Sequence, residues 1–326
     1  MKFVPLKILL VFAISILAAC NDQSSGESDS DDLETDFPQD DIEIIVPYAP
    51  GGSNDISVRL IASVAEKYVP NDQSIAVVNT PGIVGTSDIA TAPNDGYTIG
   101  AATTGTIGVQ PFVNDTSFDL DSFEPIAGTI HGQAAFLVSS EAPFDDFDEW
   151  LEYTEENPGE FSFAASAAGN TTHLAAEAFN DQLNLENEVV PFEGAGPAIS
   201  ALQGGHVGGF VNPIEEVMSD VESGNLEVLA DASADGIDYL EEEVISTQEE
   251  YGFNTDLIYG LVAPEGIPEP ELNVLVDIFE QAFEDPELIE QLEEQDYTPS
   301  YLSPDEFAEA VAEDAEFFEE VYQAMD

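Results

Sequence analysis

Ile42-Glu43-Ile44-Ile45-Val46-Pro47-Tyr48-Ala49-Pro50-Gly51-Gly52-Ser53-Asn54-Asp55 is the stretch that decides the fold. Its first five residues are apolar and β-branched around one Glu, which predicts a buried strand. Two prolines and two glycines then end the strand in a turn, and the glycines let the backbone fold tightly and approach a ligand. Ser53, Asn54 and Asp55 are good helix-capping residues. A helix is predicted over residues 55–68, with Ile56, Leu60, Ile61, Val64 and Tyr68 on one face. A loop of this kind offers unpaired N–H groups and the positive end of a helix, which suits an anion. The Lys-Ser/Thr ending of a nucleotide-binding P-loop is absent.

The same strand–turn–helix unit recurs. Further strands are predicted at residues 74–78, 97–102, 136–139, 161–164, 188–190, 208–211, 226–230 and 257–263, with helices between them. An acidic helix surrounds Trp150, and the tail from Pro270 reads as helical, with Pro286 and Pro304 opening new helices. Alternation of this type predicts an α/β fold of mainly parallel sheets with flanking helices. Ligands in such folds sit at the carboxyl ends of strands. The candidate ligand-binding residues are therefore Tyr48, Ala49, Gly51, Gly52, Ser53, Asn54 and Asp55 in the first loop, and Thr103 and Thr104 after the third strand. Ser166, Gly169, Asn170, Thr171, Thr172 and His173 supply a second loop of small and hydroxyl residues, and Asn212 lies in the turn Val211-Asn212-Pro213. A fourth strand-to-helix turn is Pro191 to Pro197.

The start of the chain has a different character. Lys2 and Lys7 precede an apolar run over residues 8–19. That run is shorter than the roughly 20 residues needed to span a bilayer and reads as a secretory signal. Leu17-Ala18-Ala19-Cys20 resembles a bacterial lipobox, so residues 1–20 are expected to be a signal peptide and Cys20 an acylated anchor. Cys20 is the sole cysteine, which leaves the folded part without a disulfide, a thiolate metal site or a thiol nucleophile. Residues 21–41, rich in Ser, Asp and Glu, are expected to form a disordered acidic tether.

Charge sets a further limit. The chain has 68 acidic residues and four Lys or Arg, a formal charge of −64, which becomes −66 once Lys2 and Lys7 leave with the signal. Nucleic-acid binding, which needs clustered Lys and Arg, is excluded. With 43% hydrophobic residues the chain still carries a core. The acids are spread along the chain and no Asp-x-Asp-x-Asp-Gly loop occurs, so they read as a halophilic, solvated surface and not as a metal site. At molar salt the Debye length is about 3 Å and such self-repulsion is screened. No cofactor motif is present.

Several segments, in order, resemble the solute receptors of tripartite tricarboxylate transporters. Pro47 to Gly52 matches that family's Pro-Phe-Ala-Pro-Gly-Gly, with Tyr48 for Phe. Pro81-Gly82, Asp95 to Thr98, Asn157-Pro158-Gly159, His173 to Glu177, Gly194 to Ala198 and Ala263 to Gly266 match later segments. The resemblance covers residues 42–326. It implies a two-lobed periplasmic-binding-protein-like fold, with residues 42–135 plus 258–326 in lobe 1, 136–257 in lobe 2, and a ligand cleft between them. It further implies a monomeric, non-enzymatic, extracytoplasmic receptor, lipid-anchored at the outer face of the cytoplasmic membrane. Such a receptor would close on a small carboxylate, using main-chain N–H groups, and deliver it to integral membrane transporter subunits.

Glu193, Thr80 and Gly208 depart from that pattern, where Lys or Arg, Arg, and Asp are frequent. Asn212 stands where the family often has Asp, which argues for a plain carboxylate over an acidic amino acid. Arg59 is expected to pair with Asp55 one turn away, and Lys67 to serve a helix C-terminus. His131 and His206 are expected to pack or face solvent, and Trp150 to anchor a core. A sensory receptor docking onto a kinase is an alternative function. A hydrolase using Ser166 is a minor one, since no Gly-x-Ser-x-Gly elbow is present.

Overall fold

The computed structural model describes residues 35–234, 236–237, 240 and 244–325. The expected signal peptide with Cys20, and the tether as far as residue 34, lie outside the described residues. The tether does not extend to Asp41. Phe37 is 6% exposed in the core and meets Tyr97 edge-on at 5.0 Å between ring centroids, while the Gln39 N–H donates to Tyr97 Oη at 3.0 Å. One aromatic residue in an otherwise polar segment is enough to dock it.

Chain order gives β1 (Ile42–Val46), β2 (Ile75–Asn79), β3 (Thr98–Thr103) and β4 (Phe123–Gly132). Next come β5 (Ala134–Ser139), β6 (Ser162–Ala165), β7 (Glu188–Pro191), β8 (Gly209–Pro213), β9 (Leu226–Asp231) and β10 (Ile245–Ser246), then β11 (Leu257–Pro264) and β12 (Pro299–Leu302). Among the described residues these make two six-stranded sheets, ordered β12-β4-β11-β3-β1-β2 and β10-β9-β5-β8-β6-β7. The helices are α1 (Ser53–Ala65), α2 (Ile83–Ala90), α3 (Gln110–Val113), α4 (Phe147–Glu156), α5 (Thr171–Leu183) and α6 (Ala195–Gln203). They continue with α7 (Met218–Glu222), α8 (Thr247–Tyr251), α9 (Glu269–Glu284), α10 (Pro286–Glu293) and α11 (Pro304–Ala324).

The α/β class is as the sequence predicts, and both sheets are mixed: among the described residues parallel pairings outnumber antiparallel ones by three to two in the second sheet, and the reverse holds in the first. β1 pairs in parallel with β2 and β3, while β11 runs antiparallel to both β3 and β4. In the second sheet β6 pairs in parallel with β7 and β8, and β5 runs antiparallel to β8 and β9. Of the antiparallel members, β5 and β11 adjoin the crossings, while the edge strand β12 does not. β4 leads through Gln133 straight into β5 of the other sheet, and β11 brings the chain back.

β1 lies inside the sheet between β3 and β2 and is buried on both sides, which explains a run that is apolar apart from the half-buried Glu43. Ile42, Ile44 and Val46 face a core shared with α1 and α9, while Ile45 faces the opposite core with Ile89 and Phe307. The period of two puts them there. In the second sheet Phe136, Trp150, Phe163 and Phe179 form an aromatic core, with Phe136 and Trp150 at 4.7 Å between centroids. Trp150 is fully buried, as expected.

Helix α11 follows β12 of the first sheet and packs on α5, which belongs to the second. Its Phe318 is buried with Leu174 and with Val109 of the π-helical turn Thr104–Val109. Gly108 permits this approach, because a Cβ there would stand 3.0 Å from Ala315 Cβ. Lys67 lies in the 3₁₀ turn Glu66–Tyr68 that continues α1, at the C-terminal end expected, and it also reaches a second helix. Its Nζ lies 2.9 Å from Asp285 Oδ2 and 2.8 Å from Glu287 Oε2 at the start of α10, and that contact pulls Asp285 down to about 2.

Candidate functional site

A cleft of about 580 Å³ lies where the strand-to-helix loops of the two sheets meet. Four helices begin on it. The cap residues are Gly52 for α1, Gly82 for α2, Asn170 for α5 and Gly194 for α6, and all four line the cleft. The first N–H groups of a helix have no carbonyl one turn earlier to bond. At the three glycine caps no side chain takes them either. Among the described residues no Lys, Arg or His lines the cleft. What it offers an anion is main-chain N–H groups and helix ends.

Of the residues expected from sequence, Tyr48, Ala49, Gly52, Ser53 and Asn54 line one wall. Ser166, Gly169, Asn170, Thr171 and Thr172 line the facing one, and Asn212 joins them from the end of β8. The other five stand behind the cleft and shape it. Gly51 has a φ of +81°, which L side chains adopt at a cost, and its N–H donates to Asp55 Oδ2 at 2.8 Å. Asp55 also meets Arg59 Nε and Asn79 Nδ2, both at 2.9 Å from Oδ1. Burial opposes ionisation of Asp55, but Arg59, the Gly51 N–H and Asn79 override it and hold the carboxyl below its ordinary value. Arg59 is thereby confined to structure, as expected.

Thr103 caps the π-helical turn by accepting the Thr106 N–H at 3.2 Å, and lies 2.9 Å from Tyr48 Oη. Burial pushes the Tyr48 phenol up to about 12. Thr104 Oγ1 donates to Asp314 Oδ2 on α11 at 2.9 Å. His173 Nδ1 accepts the Gly169 N–H at 2.8 Å, so the imidazole closes the loop that carries Ser166 to Thr172. Ser166 Oγ meets Thr172 Oγ1 at 2.9 Å and Asn170 Nδ2 at 2.6 Å, and so it is joined to an amide and a hydroxyl. Neither is a base that could activate it.

Other lining residues went unnoticed in the sequence. Pro81 and Gly82 belonged to a recognised segment but not to the candidate set. Thr106, Gln110 and Asn114 come from the π-helical turn and its continuation, and Thr255 and Tyr259 come from the return crossing and β11. Glu216 enters from the 3₁₀ turn Ile214–Glu216 after β8. Pro81-Gly82, a strand-to-helix turn, and Glu216, an acid three residues past the end of β8, had local signals that could have been read. His206 is exposed, and His131 bonds Asp256. Among the described residues no group of three or more His, Cys, Asp or Glu is arranged to hold a metal, and no helix is long and apolar enough to cross a membrane.

Residues 59–326 match the family described as tripartite tricarboxylate transporter family receptor, TctC. The chain belongs to this family of solute-binding receptors. BugT of Bordetella pertussis is 26% identical to this TctC-type receptor over 85% of its chain and 87% of the relative's. A TctC solute binding protein from Polaromonas superposes with a TM-score of 0.76 at 29% identity, covering 88% of this chain and 99% of that one. MatC of Rhodopseudomonas palustris, solved with bound malate, gives 0.73 at 26% identity over 87% and 99%. The mixed α/β fold with two helix-flanked sheets is therefore that of the periplasmic solute-binding proteins of the TctC type.

Proposed function

We propose that this receptor captures a small carboxylate in the cleft and hands it to the integral membrane subunits of a secondary transporter. It would be held at the outer face of the cytoplasmic membrane by an acylated Cys20. The observation that carries the reading is the convergence of four helix N-termini on a cleft without Lys or Arg among its described lining. Helix-end electrostatics contribute about 0.3–1 kcal/mol at exposed sites and up to about 2 when partly buried. Charge-assisted hydrogen bonds add roughly 1.5–3 kcal/mol each. These local terms persist in molar salt, where attraction over longer range is screened. The malate bound by MatC supports the ligand class. Lobe 1 (residues 42–135 plus 258–326) would close on lobe 2 (136–257) about the two crossings.

A thermal-shift screen of mono-, di- and tricarboxylates in molar salt tests this. A ligand at 100 times its Kd stabilises by about 2.7 kcal/mol. A screen in which no carboxylate raises the melting temperature at millimolar concentration would refute the reading.

A further inference from the structure

The turn after β8 puts an acid into a cleft suited to anions. Glu216 lines the cleft and is half-buried. Among the described residues a single donor reaches its carboxylate, Asn212 Nδ2 at 3.3 Å from Oε2, and none reaches Oε1. Its neighbour Glu215 is engaged elsewhere, with Oε1 accepting the Tyr259 hydroxyl at 3.3 Å. Tyr48 in the β1 loop, Tyr259 on β11, Tyr297 ahead of β12 and Glu215 of its own turn stand within reach of the Glu216 charge, and Asp256 within reach of Glu215. None of these is a cation, and among the described residues no Lys, Arg or His lines the cleft. Tyr48 lines the cleft itself, and Tyr297 Oη donates to the carbonyl of Ser53, the first residue of α1, at 2.8 Å. The charge of Glu216 is thus felt at the start of α1, one of the helix ends offered to a bound carboxylate.

Two carboxylates that share a cleft without a cation repel when both are ionised, and burial strengthens the repulsion. One proton removes the conflict, because a carboxyl donates a short, charge-assisted O–H···O bond to a carboxylate. We propose that Glu216 takes up one proton from solvent as the carboxylate enters and donates it as a hydrogen bond to the bound anion, so that the receptor binds its anion together with a proton. The one covalent bond formed is O–H on Glu216, and it breaks again, returning the proton to solvent, when the anion leaves. This rests on the receptor reading above and makes Glu216 a ligand-contacting residue. Burial holds the Glu216 carboxyl above its ordinary value in the free receptor, with the Asn212 bond opposing the rise, and a second negative charge raises it further. Affinity is therefore full below the free receptor's value and falls by up to about tenfold per pH unit above it, until the higher value of the complex is passed.

The test is titration calorimetry in molar salt from about pH 6 to 9, above the range in which free carboxylates titrate. The probes are malate, adipate and the acid that gives the largest shift in the thermal screen. Runs at about pH 8 in phosphate and in Tris, whose heats of ionisation differ, count the protons taken up. Uptake of roughly half to one proton is expected, with an affinity that falls about tenfold or more across the range. Glu216→Gln, whose amide donates at every pH, should abolish the uptake, flatten the profile and bind more tightly than the unaltered protein at the alkaline end. Glu215→Gln, which alters the neighbour bonded to Tyr259, should retain both uptake and slope. Binding with no proton uptake and a flat profile overturns the proposal on the unaltered protein alone and leaves the receptor reading standing. Uptake that survives Glu216→Gln also overturns it. Silence of every acid in the calorimeter and in the screen removes both readings.

Discussion

His131 Nε2 lies 2.7 Å from Asp256 Oδ2, and this contact ties together the two segments by which the chain passes between its sheets. His131 is near the end of β4, and Asp256 directly precedes β11. Asp256 is 3% exposed and also accepts the Ala134 N–H at 2.9 Å and the Ala234 N–H at 2.7 Å. Asp256→Ala leaves the Ala134 and Ala234 N–H groups without their acceptor, and each buried orphan costs about 1–3 kcal/mol. The expected loss is about 3 kcal/mol, read as a lower urea midpoint with unchanged slope. A loss below about 1 kcal/mol would show that the crossing does not depend on this carboxylate.

Acidification should stabilise the ligand-free protein. Burial raises Asp314 from an ordinary 3.8 to about 7, with Asp256 adding to the rise and Thr104 and His131 opposing it. Burial likewise raises Glu215 from 4.5 to about 8. In the unfolded chain both would titrate near their ordinary values, so between about pH 4 and 8 the folded state binds more protons. Their stabilising contribution is present below about pH 4 and is lost as pH rises through 7 and 8. Asp314→Asn should raise stability at pH 8 by on the order of 1 kcal/mol and flatten the profile. A melting temperature independent of pH from 5 to 8 would contradict this.

Gly52→Val is a sharper probe of the cleft than the sequence suggested. Gly52 has an ordinary φ of −83°, and a Cβ there meets only Ala49 O at 3.5 Å. The substitution therefore places bulk at the start of α1 with little backbone strain. Ligand affinity should fall tenfold or more, with little change in melting temperature. Lys67→Ala, at the end of the α1 segment where Lys67 pairs with Asp285 and Glu287 and outside the lining of the cleft, should leave affinity within about twofold. The reverse pattern would mean that a side-chain ion pair, and not the backbone, holds the ligand.

Stability should climb steeply from low to molar salt, because some 64 uncompensated negative charges repel when unscreened. Differential scanning calorimetry across that range is the measurement. A flat response would remove the halophilic reading of the surface.

Cys20→Ser should release the protein from membranes or block processing of its precursor. Fractionation that finds the variant still membrane-bound and normally matured would end the lipid-anchor proposal.

The β1 unit was legible because everything that makes it is local. Alternating burial, the Pro-Gly turn and the capping run lie within fourteen residues, and the strand came out with the bounds the sequence predicts, Ile42–Val46. β4 was not legible. Phe123–Gly132 contains Pro125 and two glycines, which read as turn signals, and Pro125 sits where the register against β11 shifts. β12, four half-buried residues, carries no periodicity of its own and exists through pairing with β4.

By itself the sequence determined the α/β class, the strand-to-helix loops that line the cleft, the near absence of Lys and Arg, and the pairing of Arg59 with Asp55. Apart from composition, these follow from periodicity, turn chemistry and contacts within one helical turn, which act over a few residues. Only the tertiary structure decided that α2 and α6 also start at the cleft, that Glu216 lines it, and that His131 meets Asp256 across 125 positions of sequence. Those relationships depend on which strands become neighbours, and a pairing between distant segments leaves no mark on the residues that lie next to each other in the chain.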